Sequence, residues 1–352
     1  MTLTAIYAVY ALGALVALLT TGRLSDYVGR RNVVILGLVI QIAGMAAFIV
    51  AEGVGMLFVA RSLQGVGTGI ATGAITAWLL DLQPPENPRF GGIVGGVALV
   101  AGLGAGALGS SLLVQYGPDP LHLVYWLLTA FFAVALVAMF VLPDVVERTP
   151  GAARSIRPQI GVPRAARSAF AALVPSLIAT WALGGLYLSL GPALSASLLK
   201  SDSRIAGGLL IAALMGAGAA ASAFVRRADP RLIVIRGSLV LVAGVGITLL
   251  AVAIGSAVGL YAGSVFAGLG FGPAFSGVVR SLAPLAPPDK RGGLLAAMYI
   301  AIYLSFSVPT IIAGLAVTNY PLRSTTYAYG LAVMALATIT TVAVSRRKPT
   351  VA

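Results

Sequence analysis

Arg61 is the residue whose position most clearly asks for chemistry. It is read as the one charge inside an apolar run, 54–80, while the other basic residues fall between runs or at their ends. An arginine near the centre of a membrane helix costs roughly 2.5–3.5 kcal/mol, so such residues are usually functional. At about 100° per residue, Arg61, Gln64, Thr68 and Thr72 share an arc of about 80°, a polar stripe suited to lining a water-filled cavity or holding an anion. Gly65, Gly69 and Gly73 form a small-residue ridge beside it, suited to close helix packing. Snorkelling competes with this reading. Arg61 lies about 7 Å into its helix at 1.5 Å per residue, within a side chain's reach of the interface.

Two other faces carry hydroxyl and aromatic groups. Thr180, Gly184, Tyr187 and Gly191 share one helical face, and Tyr299, Tyr303, Phe306 and Thr310 share another. Lipid contact or packing explains both as well as a cavity does. Enzyme chemistry has little to draw on. There is no Cys and a single His, His122, so thiolate and multi-His metal sites are excluded. Intramembrane paired acids are absent as well, and neither a catalytic residue, a metal nor a cofactor is expected. Gly104, Gly106 and Gly109 spell a dinucleotide-type glycine pattern, but that site needs a preceding strand in a βαβ unit, and none is read here. His122, at the edge of a run, is read as a surface residue.

These residues must be positioned by membrane helices. Charged residues make up 9% of the chain and hydrophobic residues 59%, against about 25% charged in a soluble domain. Eleven apolar runs are read, at 3–21, 33–51, 54–80, 90–114, 123–142, 170–194, 206–225, 232–254, 257–282, 292–317 and 327–345. In hydrocarbon every backbone amide must be paired within its segment, so each run is a helix. With the 22–32 loop placed in the cytoplasm, nineteen of the 23 Lys and Arg fall inside and Lys200, Arg204 and Arg323 outside, which orients the chain with its C-terminus cytoplasmic. The net charge of +13 is therefore a topology signal, and nucleic-acid binding is not expected.

The Pro- and Arg-bearing stretch 143–169 reads as a cytoplasmic linker between an N-terminal half, 1–142, and a C-terminal half, 170–345, with a tail at 346–352. The halves repeat each other at a shift of about 200 positions. Gly65, Gly67 and Gly69 recur as Gly268, Gly270 and Gly272, and the Pro84 to Gly92 string recurs at Pro287 to Gly293. Parallel repeats of this kind are a transporter trait, with the substrate site between the halves.

The loop after the first run reads Gly22-Arg23-Leu24-Ser25-Asp26-Tyr27-Val28-Gly29-Arg30-Arg31. It resembles the signature loop of the major facilitator superfamily at every position except Tyr27, where the family prefers a basic residue. That resemblance implies a cytoplasmic latch of Gly22, Asp26, Gly29, Arg30 and Arg31, with Asp81 as the acid that pairs with the arginines. The counterpart around Arg226, Arg227 and Arg231 keeps the basic residues without a matching aspartate, so the latch is expected in the first half alone. The string from Arg61 through Gln64 and Gly65 to Gly67 is similar to a second motif of the superfamily, in which the arginine faces the cavity and is linked to proton coupling. A third motif, that of proton antiporters, is incomplete, because Ala107 stands where Pro is expected.

The resemblance implies an all-α membrane bundle of two pseudo-symmetric halves, here five plus six helices, lacking the family's first helix. A start assigned too late and a genuine eleven-helix chain are the two explanations; an exterior terminus with an open cavity wall favours the first. No Asp or Glu lies mid-run, so proton coupling does not follow from the residues. The expected function is secondary transport of a small molecule by alternating access, with drug/proton antiport as the favoured subtype, proton-coupled or facilitative uptake of a small metabolite as the alternative and a non-transporting membrane sensor or scaffold as a remote one. The expected setting is a monomer in the lipid bilayer of the plasma membrane.

Overall fold

The structure is a computed structural model and describes residues 2–22, 24–84, 86, 90–144, 150, 160–201, 203–287 and 291–347. The linker between 145 and 159, except Pro150, lies outside these residues, as do 85 and 87–89 of the first repeat string and 288–290 of the second. So do Arg23, Arg89, Lys290 and Lys348 among the topology charges.

Among the described residues the regular elements are all helical. They are α1 (Thr2–Thr21), a single-turn α2 (Ser25–Val28), α3 (Arg30–Ile49), α4 (Val54–Asp81), α5 (Phe90–Tyr116) and α6 (Leu123–Val141). They continue as α7 (Arg167–Leu199), α8 (Arg204–Phe224), α9 (Pro230–Ile254), α10 (Ala257–Leu282), α11 (Arg291–Asn319) and α12 (Leu322–Ser345). Ten of these are long and apolar enough to cross a membrane, and α1 contributes an apolar helical stretch over Ala8–Thr21.

The boundaries differ from the apolar runs where polar residues continue a helix. α7 begins at Arg167 and reaches Leu199, with Pro175 and Pro192 inside it; neighbouring helices let membrane helices absorb such breaks. α12 begins at Leu322, five residues before its apolar run, with Pro321 as its N-cap and Thr326 returning its hydroxyl to the Leu322 carbonyl at 2.8 Å. Arg236 lies inside α9, so Arg61 is not the only arginine within a long helix. The two differ in setting: Arg236 is exposed, whereas Arg61 is half-buried.

The chain forms two compact units. The first comprises Met1–Gly95, Tyr116–Gly161 and Gly292–Ile300, and the second comprises Gly96–Gln115, Val162–Arg291 and Ala301–Ala352. The first unit packs α1, α3, α4 and α6 around Val33, Ile70 and Trp78, with a smaller cluster at Met45, Phe48 and Ala60. The second packs α7 to α10 and α12 around Leu183, Leu210, Leu241 and Phe271.

Close glycine crossings recur in both units. Gly65 and Gly69 of α4 abut the backbone of α1 at Tyr10 and Ala14, and Gly73 approaches Leu18 and Gly22. Gly268 and Gly272 of α10 abut the backbone of α8 at Leu214 and Gly218 in the same way. Gly37 and Gly44 of α3 meet α4 as Gly237 and Gly244 of α9 meet α10. A side chain at Gly65, Gly69, Gly237, Gly244, Gly268 or Gly272 would meet the facing helix closer than 3.0 Å and force the helices apart, with loss of dispersion contacts.

Candidate functional site

The signature loop is built around one guanidinium. Arg30, at the first position of α3, donates through Nε to Asp81 Oδ2 at 2.8 Å, and through Nη1 to Ser25 Oγ at 2.7 Å and to the Asp26 carboxylate. Asp26 sits one turn before Arg30, and Asp81 ends α4, so a single side chain ties the loop to the far end of another helix. Arg31 turns elsewhere, and its Nε is buried without a hydrogen-bond partner among the described residues. Asp81 therefore meets one latch arginine, not both.

Asp144, just past α6, completes the arrangement. Its Oδ1 accepts from the Arg30 backbone N–H at 3.1 Å, capping the N-terminus of α3 from a distant part of the chain. Gly29 makes this possible. It holds φ at +93°, and the Asp144 carboxylate occupies the space that a Cβ would need. At that backbone angle an L side chain would add strain to the clash. Asp144→Ala is expected to lower stability by about 1 kcal/mol, the usual value of an N-cap, and Asp144→Asn by less. Thermal unfolding in detergent checks both.

The second unit solves the same problem differently. The position 200 residues after Gly29 is Asp229, which accepts from the N–H groups of Arg231 and Leu232 at 2.7 and 3.1 Å. The cap of α9 is thus local, and an acid is present near Arg226, Arg227 and Arg231 after all, as a cap rather than an ion-pair partner. Arg231 instead donates to the carbonyls of Val344, Ser345 and Arg347 at 3.3, 3.0 and 2.5 Å, closing the C-terminus of α12. Cations at helix C-termini are favourable for the same electrostatic reason that Asp144 is at an N-terminus.

Within the membrane portion of α4, Arg61 Nη1 donates to Gln64 Oε1 at 2.8 Å, and its guanidinium carbon lies 5.1 Å from the centroid of the Phe48 ring. Phe48 is stacked on Tyr125 of α6 at 4.6 Å, which fixes that ring. Gln41 of α3 donates through Nε2 to the Gln64 carbonyl at 3.2 Å and to Thr68 Oγ1 at 2.7 Å. The Tyr10 hydroxyl of α1 lies near Thr68. The structure thus brings Arg61, Gln64 and Thr68 together and adds Gln41, Phe48 and Tyr10. Thr72 continues the stripe as a half-buried residue. Gln41 could have been found, since it is the one strongly polar residue in the run 33–51. Tyr10 and Asp144 carry no comparable signal.

The weaker sites fall in several places. Tyr187 is packed in the core of the second unit, where its hydroxyl is paired with Thr248 at 3.0 Å and with Ser264 at 3.1 Å. Tyr299 lies near Thr76 in the first unit, and Tyr303 is half-buried on α11. Trp181, which the sequence reading passed over, meets Phe271, Phe275 and Phe306 edge-on with ring centroids 5.4–6.5 Å apart. Of the α5 glycines, Gly104 packs on Met215 of α8. His122 lies outside the helices' apolar cores, 3.0 Å from Asp119, whose carboxyl it holds below the usual range by hydrogen bonding.

These features define a polytopic helical membrane protein, and among the described residues no group of His, Cys, Asp and Glu could hold a metal ion. A sequence profile of the Major Facilitator Superfamily matches residues 1–308, and the chain belongs to that superfamily of membrane transport proteins, not to an enzyme family. Multidrug resistance protein MdtL of Escherichia coli is 26% identical over 148 residues, 42% of this chain and 37% of MdtL. An uncharacterized MFS-type transporter of Mycobacterium tuberculosis is 28% identical over 152 residues, 43% of this chain and 21% of that protein. The matched stretches thus span well under half the length of these relatives. Among solved structures, the human organic anion transporter MFSD10 aligns with a TM-score of 0.72 over 96% of this chain and 83% of that chain, at 21% identity. That likeness concerns the fold.

Proposed function

We propose that this chain moves a small organic molecule across the plasma membrane as a monomer by alternating access, with export of drug-like molecules in exchange for protons as its favoured mode. The observation that carries the reading is the setting of Arg61. It is half-buried on α4, bonded to Gln64 of the polar stripe and set over the Phe48 ring. A guanidinium held by two protein partners differs from a snorkelling one, whose head is left to water. MdtL, similar to this chain over part of its length, is by name a multidrug resistance protein. On this reading the Arg30 network is the cytoplasmic latch of one access state, and the repeated glycine crossings are the duplicated bundles that exchange access. The C-terminus lies on the cytoplasmic side, as the distribution of basic residues supports.

A second reading has a specific observation behind it. A fixed guanidinium within the bundle suits an anionic metabolite, and uptake of such a solute would use the same stripe.

The test is ethidium flux in proteoliposomes carrying an imposed pH gradient. Gradient-driven accumulation above protein-free vesicles is expected, with collapse on addition of a protonophore. Ethidium flux that ignores the gradient would leave transport and remove proton exchange. No ethidium flux, together with saturable flux of an organic anion, would select the second reading.

A further inference from the structure

Gln41 is a polar group that packing does not require. It lies on α3 at 7% exposure, with its side chain laid over Gly67 of α4. The same crossing is built again in the second unit, where α9 meets Gly270 of α10, and there the residue over the glycine is Leu241, fully buried. The flanking glycines fix this correspondence. Gly37 and Gly44 approach α4 on either side of Gln41, and Gly237 and Gly244 approach α10 on either side of Leu241. The fold therefore makes one crossing twice, once with a leucine and once with a glutamine.

The glutamine is the less stable choice. Nε2 is the atom that must face the Gln64 carbonyl, because a carbonyl only accepts, and Nε2 also donates to Thr68. That leaves Oε1 buried without a hydrogen-bond partner, and an unmatched buried acceptor is destabilising. What the glutamine secures is orientation. It grips α4 at the Gln64 peptide and at the Thr68 hydroxyl, the two points between which the stripe turns from the amide that holds Arg61 to the hydroxyls below it.

We propose that Gln41 is a positioning residue of the transport surface, holding the Arg61, Gln64, Thr68 and Thr72 stripe in one orientation at a cost to stability. This rests on the reading of that stripe as the surface used in transport. Gln41 acts through Thr68 and the Gln64 peptide, without touching solute.

The absence of cysteine in the chain makes a direct test possible. A single Thr72→Cys substitution reports the setting of the stripe through its rate of alkylation by N-ethylmaleimide, in the full chain reconstituted in phosphatidylethanolamine/phosphatidylglycerol vesicles. Ethidium flux is measured in parallel in the cysteine-free chain. Gln41→Leu installs the residue that the second unit uses, and Gln41→Met provides an unbranched apolar alternative. Both are expected to unfold at or above the parent temperature, to change the Thr72→Cys alkylation rate at least fivefold and to lower ethidium flux at least tenfold. Thr68→Val should reproduce part of the change, and combining it with Gln41→Leu should add little to Gln41→Leu alone, which already breaks the Gln41–Thr68 contact.

An alkylation rate or ethidium flux within twofold of the parent overturns the proposal. So do additive losses in the double variant, and so does a clear drop in unfolding temperature in both apolar variants, which would make Gln41 a packing residue. If the parent moves no ethidium, the transport reading fails and the alkylation rates alone decide whether Gln41 orients α4.

Discussion

Arg30→Ala is expected to reduce transport at least tenfold while leaving a folded protein. The Arg30 side chain is 10% exposed and bonds Asp26, Asp81 and Ser25, so alanine strips three partners at once. Removing one member of a buried ion pair typically costs 3–5 kcal/mol. Here the acids are 44% and 35% exposed, and water takes over part of their solvation, which brings the expected loss to about 2 kcal/mol. If the network belongs to one access state, that amount shifts the balance of states about 30-fold. Folding survives because the α3 terminus keeps its Asp144 cap, which binds the backbone of residue 30 and not its side chain. Arg30→Lys keeps the charge and loses the fork that spans the partners, so it should fall between parent and alanine. Flux and unfolding temperature are measured together. Parent-level flux in Arg30→Ala would remove the latch from the mechanism.

Arg61→Ala is expected to lower flux to the level of protein-free vesicles. The change removes the Gln64 hydrogen bond and the contact with the Phe48 ring. A cation–π contact of this kind is worth about 0.5–2 kcal/mol, and an intramembrane guanidinium carries an insertion cost of its own. The two offset each other, and the unfolding temperature should move little. A large loss of flux on an unchanged fold is the mark of a residue kept for function. Arg61→Lys retains a charge without the planar group over Phe48, and partial flux is expected there. Parent-level flux in the alanine variant would mean that Arg61 only anchors α4 at the interface.

Much of the fold was legible because membrane helices are specified locally. A run such as 123–142 must be helical wherever it lies, since hydrocarbon offers its amides no other partner, and α6 covers Leu123–Val141. The signature loop was legible as a string for a similar reason: a tight connection between two spans confines its residues to a few positions. The site was legible in part. Arg61, Gln64 and Thr68 lie on one helix, so helical geometry alone sets them on one face, and the contact from Arg61 to Gln64 follows. Gln41 and Tyr10 come from other helices, and their arrival depends on how α3 and α1 are rotated against the glycine ridges of α4. No pattern within one helix carries that information.

By itself, then, the sequence determined that this is an all-helical, multi-pass membrane protein of a transporter superfamily, with a basic loop, an internal repeat and an arginine inside a span. Each of these depends on residues near one another in the chain, or on repeated strings. The tertiary structure decided that Arg30 and not Arg31 meets Asp81, that Asp144 caps α3 from 114 positions away, and that Asp229 serves α9 in place of such a long-range cap. It also decided that Gln41 stands where the repeat places Leu241. Those outcomes depend on helix rotation and on where a distant segment returns, and a few degrees or a single residue of register would have chosen a different partner.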